Sequence, residues 1–261
     1  MFGVQQRLVI TRTRIRRFSG QSICRLEELD AHRLNSHLAL HYQKQQPVIF
    51  RMSCDALTRW NNWDYLIDKV DQDWVGEVEM GAYNQGERVT LSFGEYMEYL
   101  KLWKQHEEEG DSEFSKEHLL YMAQNDLPAS LHRDIQWPSI EFAENKWYNI
   151  HWWVGPRDTH SPLHYDPLDN YLFQIVGQKS VILFDASHPA NALYTGSTWK
   201  QQNNTSAADV FDLDRHKFPN LDLNLSHQAI LYPGDVLYIP FKWWHAVKSL
   251  SFSISVNAWW R

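Results

Sequence analysis

The sequence predicts an α+β, mainly β chain: a sandwich or barrel of short strands behind a helical N-terminal half. Three observations predict it. The 261 residues are 43% hydrophobic and 22% charged, enough to bury a core of domain size. After Trp147, runs rich in aromatic and β-branched residues alternate with Gly, Pro, Asn and Asp, the texture of short strands and turns. Before it, apolar residues recur at helical spacing. No apolar run approaches the roughly 18–20 residues of a membrane span.

From Met1 to Leu26 there is no Asp or Glu, whereas Arg7, Arg12, Arg14, Arg16, Arg17 and Arg25 are basic. Residues 1–21 read as a basic N-terminal arm or targeting segment: a solvated tail, a nuclear import patch or a mitochondrial transit peptide. Nucleus or cytoplasm is the expected location, with the mitochondrial matrix as the alternative. Residues 22–261 read as one domain, with a helical and mixed part over 22–146 and a barrel core over 147–261. Leu26, Leu29, Leu34, Leu38 and Tyr42 give a helical stripe that Pro47 ends. Residues 47–50 read as a short buried strand. Helices are expected over 62–70 and 92–105, the second capped by Thr90-Leu91-Ser92. Residues 106–115 carry Glu107, Glu108, Glu109, Asp111 and Glu113 and read as an exposed acidic loop.

Strands are expected over 147–154, 171–176, 179–185, 229–232, 236–240, 244–249 and 251–259. Gly177-Gln178 and Pro233-Gly234-Asp235 are the turns between neighbours. Residues 195–225 lack periodicity and read as a long irregular insertion. The net charge of −7 argues against a broad nucleic-acid footprint. Cys24 and Cys54 are too few for a disulfide scaffold or a thiolate zinc site. Many of the 13 Trp residues belong in a core, and some suit a cavity wall.

The informative segment is Ser161-Pro-Leu-His164-Tyr-Asp166. On a strand, residues i and i+2 share a face, so His164 and Asp166 converge. His245 stands far downstream, and a late strand of a barrel can pass beside an early one. Two imidazoles and a carboxylate suit the facial triad of non-haem Fe(II), which leaves positions open. The spacing alone also fits a histidine hydrogen-bonded to a nearby carboxylate. Lys179 shares a face with Val181 and Leu183; if it points inward it needs an anion, and otherwise it is an edge lysine in water. Along 251–257, Phe252, Ile254 and Val256 alternate with Ser251, Ser253, Ser255 and Asn257. The polar face suits either a ligand-holding interior or solvent.

These residues form part of longer stretches: Trp153-Val-Gly-Pro156, Ser161-Pro-Leu-His-Tyr-Asp-Pro167, Asn170-Tyr-Leu-Phe-Gln-Ile-Val-Gly-Gln-Lys179, Tyr232-Pro-Gly-Asp-Val-Leu-Tyr-Ile-Pro240, Trp244-His245 and 253–260. In order and spacing they resemble the JmjC (cupin-type) 2-oxoglutarate oxygenases, especially the small arginyl hydroxylases among them. Weaker similarity runs through Pro47-Val-Ile, Val78-Glu79-Met-Gly81 and Tyr121-Met-Ala-Gln124. The resemblance implies a double-stranded β-helix, or jelly roll. It implies His164, Asp166 and His245 as ligands of Fe(II), with dioxygen as co-reactant. It places Lys179 on the distal carboxylate of 2-oxoglutarate, with Tyr121, Ser161 and Asn170 completing that pocket. Glu79, Gln124 and Trp153 match positions lining an arginine pocket, and a carboxylate with an aromatic wall suits a guanidinium.

Two departures stand out. Asn257 replaces an apolar or aromatic residue common in the family, and the segments 106–115 and 195–210 border the expected substrate entrance. The activity this implies is hydroxylation of an arginine on a protein or peptide. Lysyl hydroxylation or histone lysine demethylation by the same fold comes next. A tRNA-base hydroxylase, a cupin of other metal chemistry and a non-catalytic binding module follow. No membrane partner is expected.

Overall fold

The computed structural model describes residues 21–25, 31–80, 87–111, 119–138, 140, 147–189, 193–195 and 204–261, with 31–33 described by backbone alone. The arm at 1–20, Leu26, Leu29, and residues 112–115 and 196–203 of the two loops lie outside the described residues.

The chain enters as β1 (Gln21–Ser22) and β2 (Cys24–Arg25), followed by helix α1 (Ala31–Lys44). Leu34, Leu38 and Tyr42 face the core from α1, and Gln45 turns left-handed (φ 51°) two residues before Pro47. β3 (Val48–Arg51), α2 (Ala56–Arg59) and α3 (Trp63–Lys69) come next. Asn62 caps α3 by accepting from the Asp64 N–H. Then come β4 (Val75–Met80), β5 (Glu87–Ser92), α4 (Phe93–Glu109) and β6 (Leu120–Asp126). Ser92 and Glu95 form a reciprocal capping box at the start of α4. Phe93, Tyr96, Met97, Leu100 and Trp103 form its buried stripe.

The barrel strands are β7 (Trp147–Gly155), β8 (His160–Tyr165), β9 (Asp169–Val176), β10 (Lys179–Phe184), β11 (His227–Leu231), β12 (Asp235–Ile239), β13 (Trp244–Ser249) and β14 (Ser253–Trp260). They form two sheets, ordered β1-β11-β10-β13-β8 and β2-β3-β12-β9-β14-β7-β6-β4-β5. The architecture is the expected jelly roll. Side-chain alternation separates its two environments. From the large sheet, Tyr171, Phe173, Val236, Tyr238, Ile254, Val256, Ala258 and Trp260 pack outward against the helices. Leu172, Leu237 and Ile239 point inward and meet Val181, Leu183, Ala229 and Leu231 of the small sheet.

Turns hold the strands in register. Gly177 (φ 73°) is obligatory at the β9–β10 turn, because a Cβ there would lie 1.9 Å from the Phe252 carbonyl oxygen. Buried Asp235 pairs with Arg25 and Arg51, tying β2 and β3 to the turn before β12.

Six strands went unread in the sequence: the two-residue β1 and β2, and β4, β5, β6 and β8. The acidic segment also needs correction. His106–Glu109 is the last turn of α4 rather than loop. The stop is Gly110, left-handed at φ 78°, and Gln105–Glu109 and Lys104–Glu108 contacts support that turn. The irregular segment after 204 is packed. Ala208, Val210, Phe218 and Leu221 cover the outer face of the small sheet against Leu163, Ile182 and Phe184.

Candidate metal centre and active site

His164 lies near the end of β8, and His245 is its direct cross-strand partner on β13. Asp166 follows β8 by one residue. Its backbone oxygen accepts from the Lys242 N–H, which pins the turn before β13 onto it. A bulge in β8 sets the facing. Ser161 opposes Val247 and His164 opposes His245, so three steps on one strand match two on the other. Ser161 and His164 consequently share the inner face, while Leu163 packs outward.

The ligand atoms of His164, Asp166 and His245 lie within 4.8 Å of one another. His164 Nε2 is 3.8 Å from Asp166 Oδ1, and His245 Nε2 is 3.7 Å from Oδ2. Each imidazole uses its other nitrogen elsewhere: His164 Nδ1 lies 2.8 Å from the Pro162 carbonyl and His245 Nδ1 3.0 Å from that of Trp243. Donation by Nδ1–H fixes the tautomer whose Nε2 lone pair faces the shared point. Burial, with His164 beside it, pushes the His245 pKa down to about 4, so it is neutral at pH 7 and ready to ligate. Burial raises the Asp166 carboxyl, but His245, His164 and the Trp259 N–H outweigh it and hold it below the usual carboxylate range. Trp259 Nε1 donates to Asp166 Oδ2 at 2.9 Å. Two imidazoles and a carboxylate, without thiolate, fit a divalent iron ion.

The triad opens on a cavity of about 300 Å³. Tyr121, Ser161, Asn170 and Lys179 line it. Lys179 points inward and is 2% exposed. Its ammonium is 3.4 Å from the Tyr121 hydroxyl and meets no carboxylate among the described residues. Burial pushes its pKa down to about 7. Asn170 Oδ1 accepts from the Asn257 Nδ2–H at 2.7 Å, while its own Nδ2 is buried with no hydrogen-bond partner among the described residues. A buried cation and an unspent N–H donor on one wall fit an anionic ligand. Gly155 makes room for this wall, since a Cβ there would come within 2.6 Å of the Tyr121 ring.

Gln124 and Trp153 also line the cavity, Gln124 in a left-handed conformation (φ 55°). Glu79 does not. It is buried behind Arg88, which takes a place on the wall and donates to it. Sequence reasoning missed Arg88, Trp259, Asn204 and Thr205. Trp259 was within reach, being two residues beyond Asn257 on the inner face of β14. Thr205 bridges to His164 from the irregular segment, where no periodicity points to it. Of the two segments expected at the entrance, the later one contributes Asn204 and Thr205, and no described residue of 106–111 lines the cavity.

In sequence the chain is similar to known proteins. The family described as "Cupin-like domain" matches residues 35–261. Jumonji C domain-containing protein 5 of Drosophila melanogaster is 30% identical over 255 residues, covering 92% of this chain and 60% of that protein. Lysine-specific demethylase JMJ30 of Arabidopsis thaliana is 32% identical over 244 residues, covering 90% and 54%. Lysine-specific demethylase 8 of Xenopus tropicalis is 42% identical over 111 residues, covering 42% and 25%. The chain thus spans about three-fifths or less of the length of these relatives. Jelly-roll topology, the inward His-Asp-His cluster and a match over most of the chain place this protein in the cupin-like JmjC family.

Proposed function

We propose that this chain is an Fe(II)- and 2-oxoglutarate-dependent hydroxylase acting on an arginine side chain of a protein or peptide. One observation carries the reading: His164, Asp166 and His245 converge in the cavity into which the buried ammonium of Lys179 points. When bound, Fe(II), 2-oxoglutarate and dioxygen supply the oxidising power: one oxygen atom enters a substrate C–H bond, and the cosubstrate leaves as succinate and carbon dioxide.

The chain's own residues bind and orient. His164 and His245 offer Nε2 lone pairs, and Asp166 offers its carboxylate. The Trp259 N–H holds that carboxylate through Oδ2. Lys179 takes the far carboxylate of the cosubstrate and holds its proton once that charge arrives. Tyr121, Ser161 and Asn170 complete the pocket with hydroxyl and amide groups. Leu172, Ile239 and Val247 supply apolar parts of its wall. Trp153 offers a ring face to a guanidinium, and Gln124 offers an amide.

The relatives' names favour a second reading, removal of methyl groups from lysine. A single experiment separates the two. The chain is incubated with Fe(II), 2-oxoglutarate, air and peptides containing Arg, Lys or methylated Lys, beside an Asp166→Ala control. The expected result, read by mass spectrometry, is one added oxygen on arginine, absent from the control. Oxygen on lysine, or loss of methyl groups, would overturn the substrate and keep the oxygenase. Absence of thermal stabilisation by 2-oxoglutarate in the metal-loaded protein would sink the oxygenase itself.

A further inference from the structure

On β4 and β5, Glu79 and Arg88 stand opposite each other in register. Arg88 Nε donates to Glu79 Oε1 at 2.5 Å, and its Nη1 donates to Glu77 Oε2 at 3.1 Å. The two acids differ in surroundings, with side chains 3% exposed at Glu79 and 66% exposed at Glu77. Arg88 lines the cavity that holds the metal ligands, and Glu79 does not. A guanidinium of the chain's own therefore stands between the buried carboxylate and the cavity. The pairing is incomplete: Glu79 Oε2 is buried and has no hydrogen-bond partner among the described residues. A carboxylate can accept two parallel bonds from one guanidinium, and a buried oxygen left without a donor is costly.

We infer that Arg88 is a resident competitor for the substrate, a gate that an incoming guanidinium must turn aside to reach Glu79. The inference rests on the arginine-hydroxylase reading above. The resident cation and the incoming one have the same chemistry, so the exchange leaves Glu79 paired throughout. The displaced Arg88 keeps Glu77, already at hydrogen-bonding distance on the outer side. Its side chain is 47% exposed, which leaves it room to turn toward solvent. The closed gate lowers apparent affinity by the fraction of time it stands open. It also selects for a planar fork, because a lysine ammonium can satisfy Glu79 only as a point charge.

The test is calorimetric titration of a short acetylated arginine peptide, and its lysine twin, into the full chain. Wild type is compared with Arg88→Ala, Arg88→Gln and the double variant Arg88→Ala/Glu79→Gln. Thermal unfolding with and without 2-oxoglutarate verifies each fold, and the Gln variant serves if Ala weakens the hairpin. Both single variants should bind the arginine peptide about tenfold more tightly than wild type, with a smaller gain for lysine. The double variant should lose that gain. Unchanged or weaker binding by both single variants would overturn the gate and make Arg88 a support for Glu79. If no variant binds arginine peptide while 2-oxoglutarate still stabilises all of them, the arginine reading falls and the gate with it.

Discussion

Lys179→Met removes one charge from the cavity and keeps the length and apolar bulk of the side chain. Burial alone takes the Lys179 pKa from 10.5 to about 7. That fall corresponds to a penalty of about 5 kcal/mol on the charged form. The folded value is the lowered one, so between about pH 7 and pH 10.5 the unfolded chain binds the extra proton. Stability contributed by this residue therefore rises with pH across that window. Below about pH 7 the full penalty is present, and above 10.5 it has gone. Methionine carries no such penalty. Without cosubstrate at pH 7, relaxation takes up part of the difference, and Lys179→Met should unfold roughly 5–10 °C higher than wild type, at about 2–4 °C per kcal/mol. The order should reverse with 2-oxoglutarate, whose carboxylate restores the ammonium in wild type and finds nothing in the variant. Scanning calorimetry with and without 2-oxoglutarate at acidic, neutral and alkaline pH reads both effects. Titration at pH 8 in buffers of different ionisation enthalpy should also show proton uptake by wild type alone. A variant no more stable than wild type at pH 7, yet equally stabilised by 2-oxoglutarate, would refute the argument.

Other positions give separable outcomes. Asp166→Ala should abolish metal binding, read as loss of bound Mn(II) by electron paramagnetic resonance, while 2-oxoglutarate-independent folding persists. Trp259→Phe keeps an aromatic ring but removes the donor to Asp166 Oδ2; metal affinity measured against a competing chelator should fall about tenfold or more. Gly155→Ala drives a methyl to within 2.6 Å of the Tyr121 ring; it should cost about 1–3 kcal/mol in denaturant unfolding and raise the 2-oxoglutarate KM. Asn257→Val removes the amide that engages Asn170 Oδ1; it should raise the 2-oxoglutarate KM without changing chelator-measured metal affinity.

What could be read from the sequence follows the physics of each signal. The strands after residue 147, β8 excepted, were legible because aromatic and β-branched runs stand between turn residues. Pro233-Gly234-Asp235 and Gly177 punctuated them because only such residues fit those turns. β4 and β5 were illegible for the opposite reason. Glu77, Glu79 and Arg88 are charges satisfied across a hairpin, and cross-strand register leaves no mark along the chain. The acidic end of α4 was misread because carboxylates oppose the helix dipole there, whereas Gly110 is what stops the helix. The triad's residue types and order were legible. The face that His164 shares with Ser161 was not: simple alternation along β8 sets them on opposite faces, and the bulge brings them together.

The same strands therefore carry two kinds of constraint at alternate positions. On β14, Ile254, Val256, Ala258 and Trp260 pack into the helical layer, where volume decides. Between them, Ser255 donates to Gln174, Asn257 to Asn170 and Trp259 to Asp166. These inner residues are as buried as the outer ones, so burial alone does not separate stability from chemistry. What separates them is where their polar atoms end. Each inner donor finishes on a side chain of β9 or on Asp166, which converts the rigidity of a central strand into fixed side-chain positions. A site that must hold the Asp166 carboxylate and the Asn170 amide in register gains from placing both supports on one strand. β14 pairs with β7 and β9 along most of its length, so neither support can shift without moving the strand that carries the other.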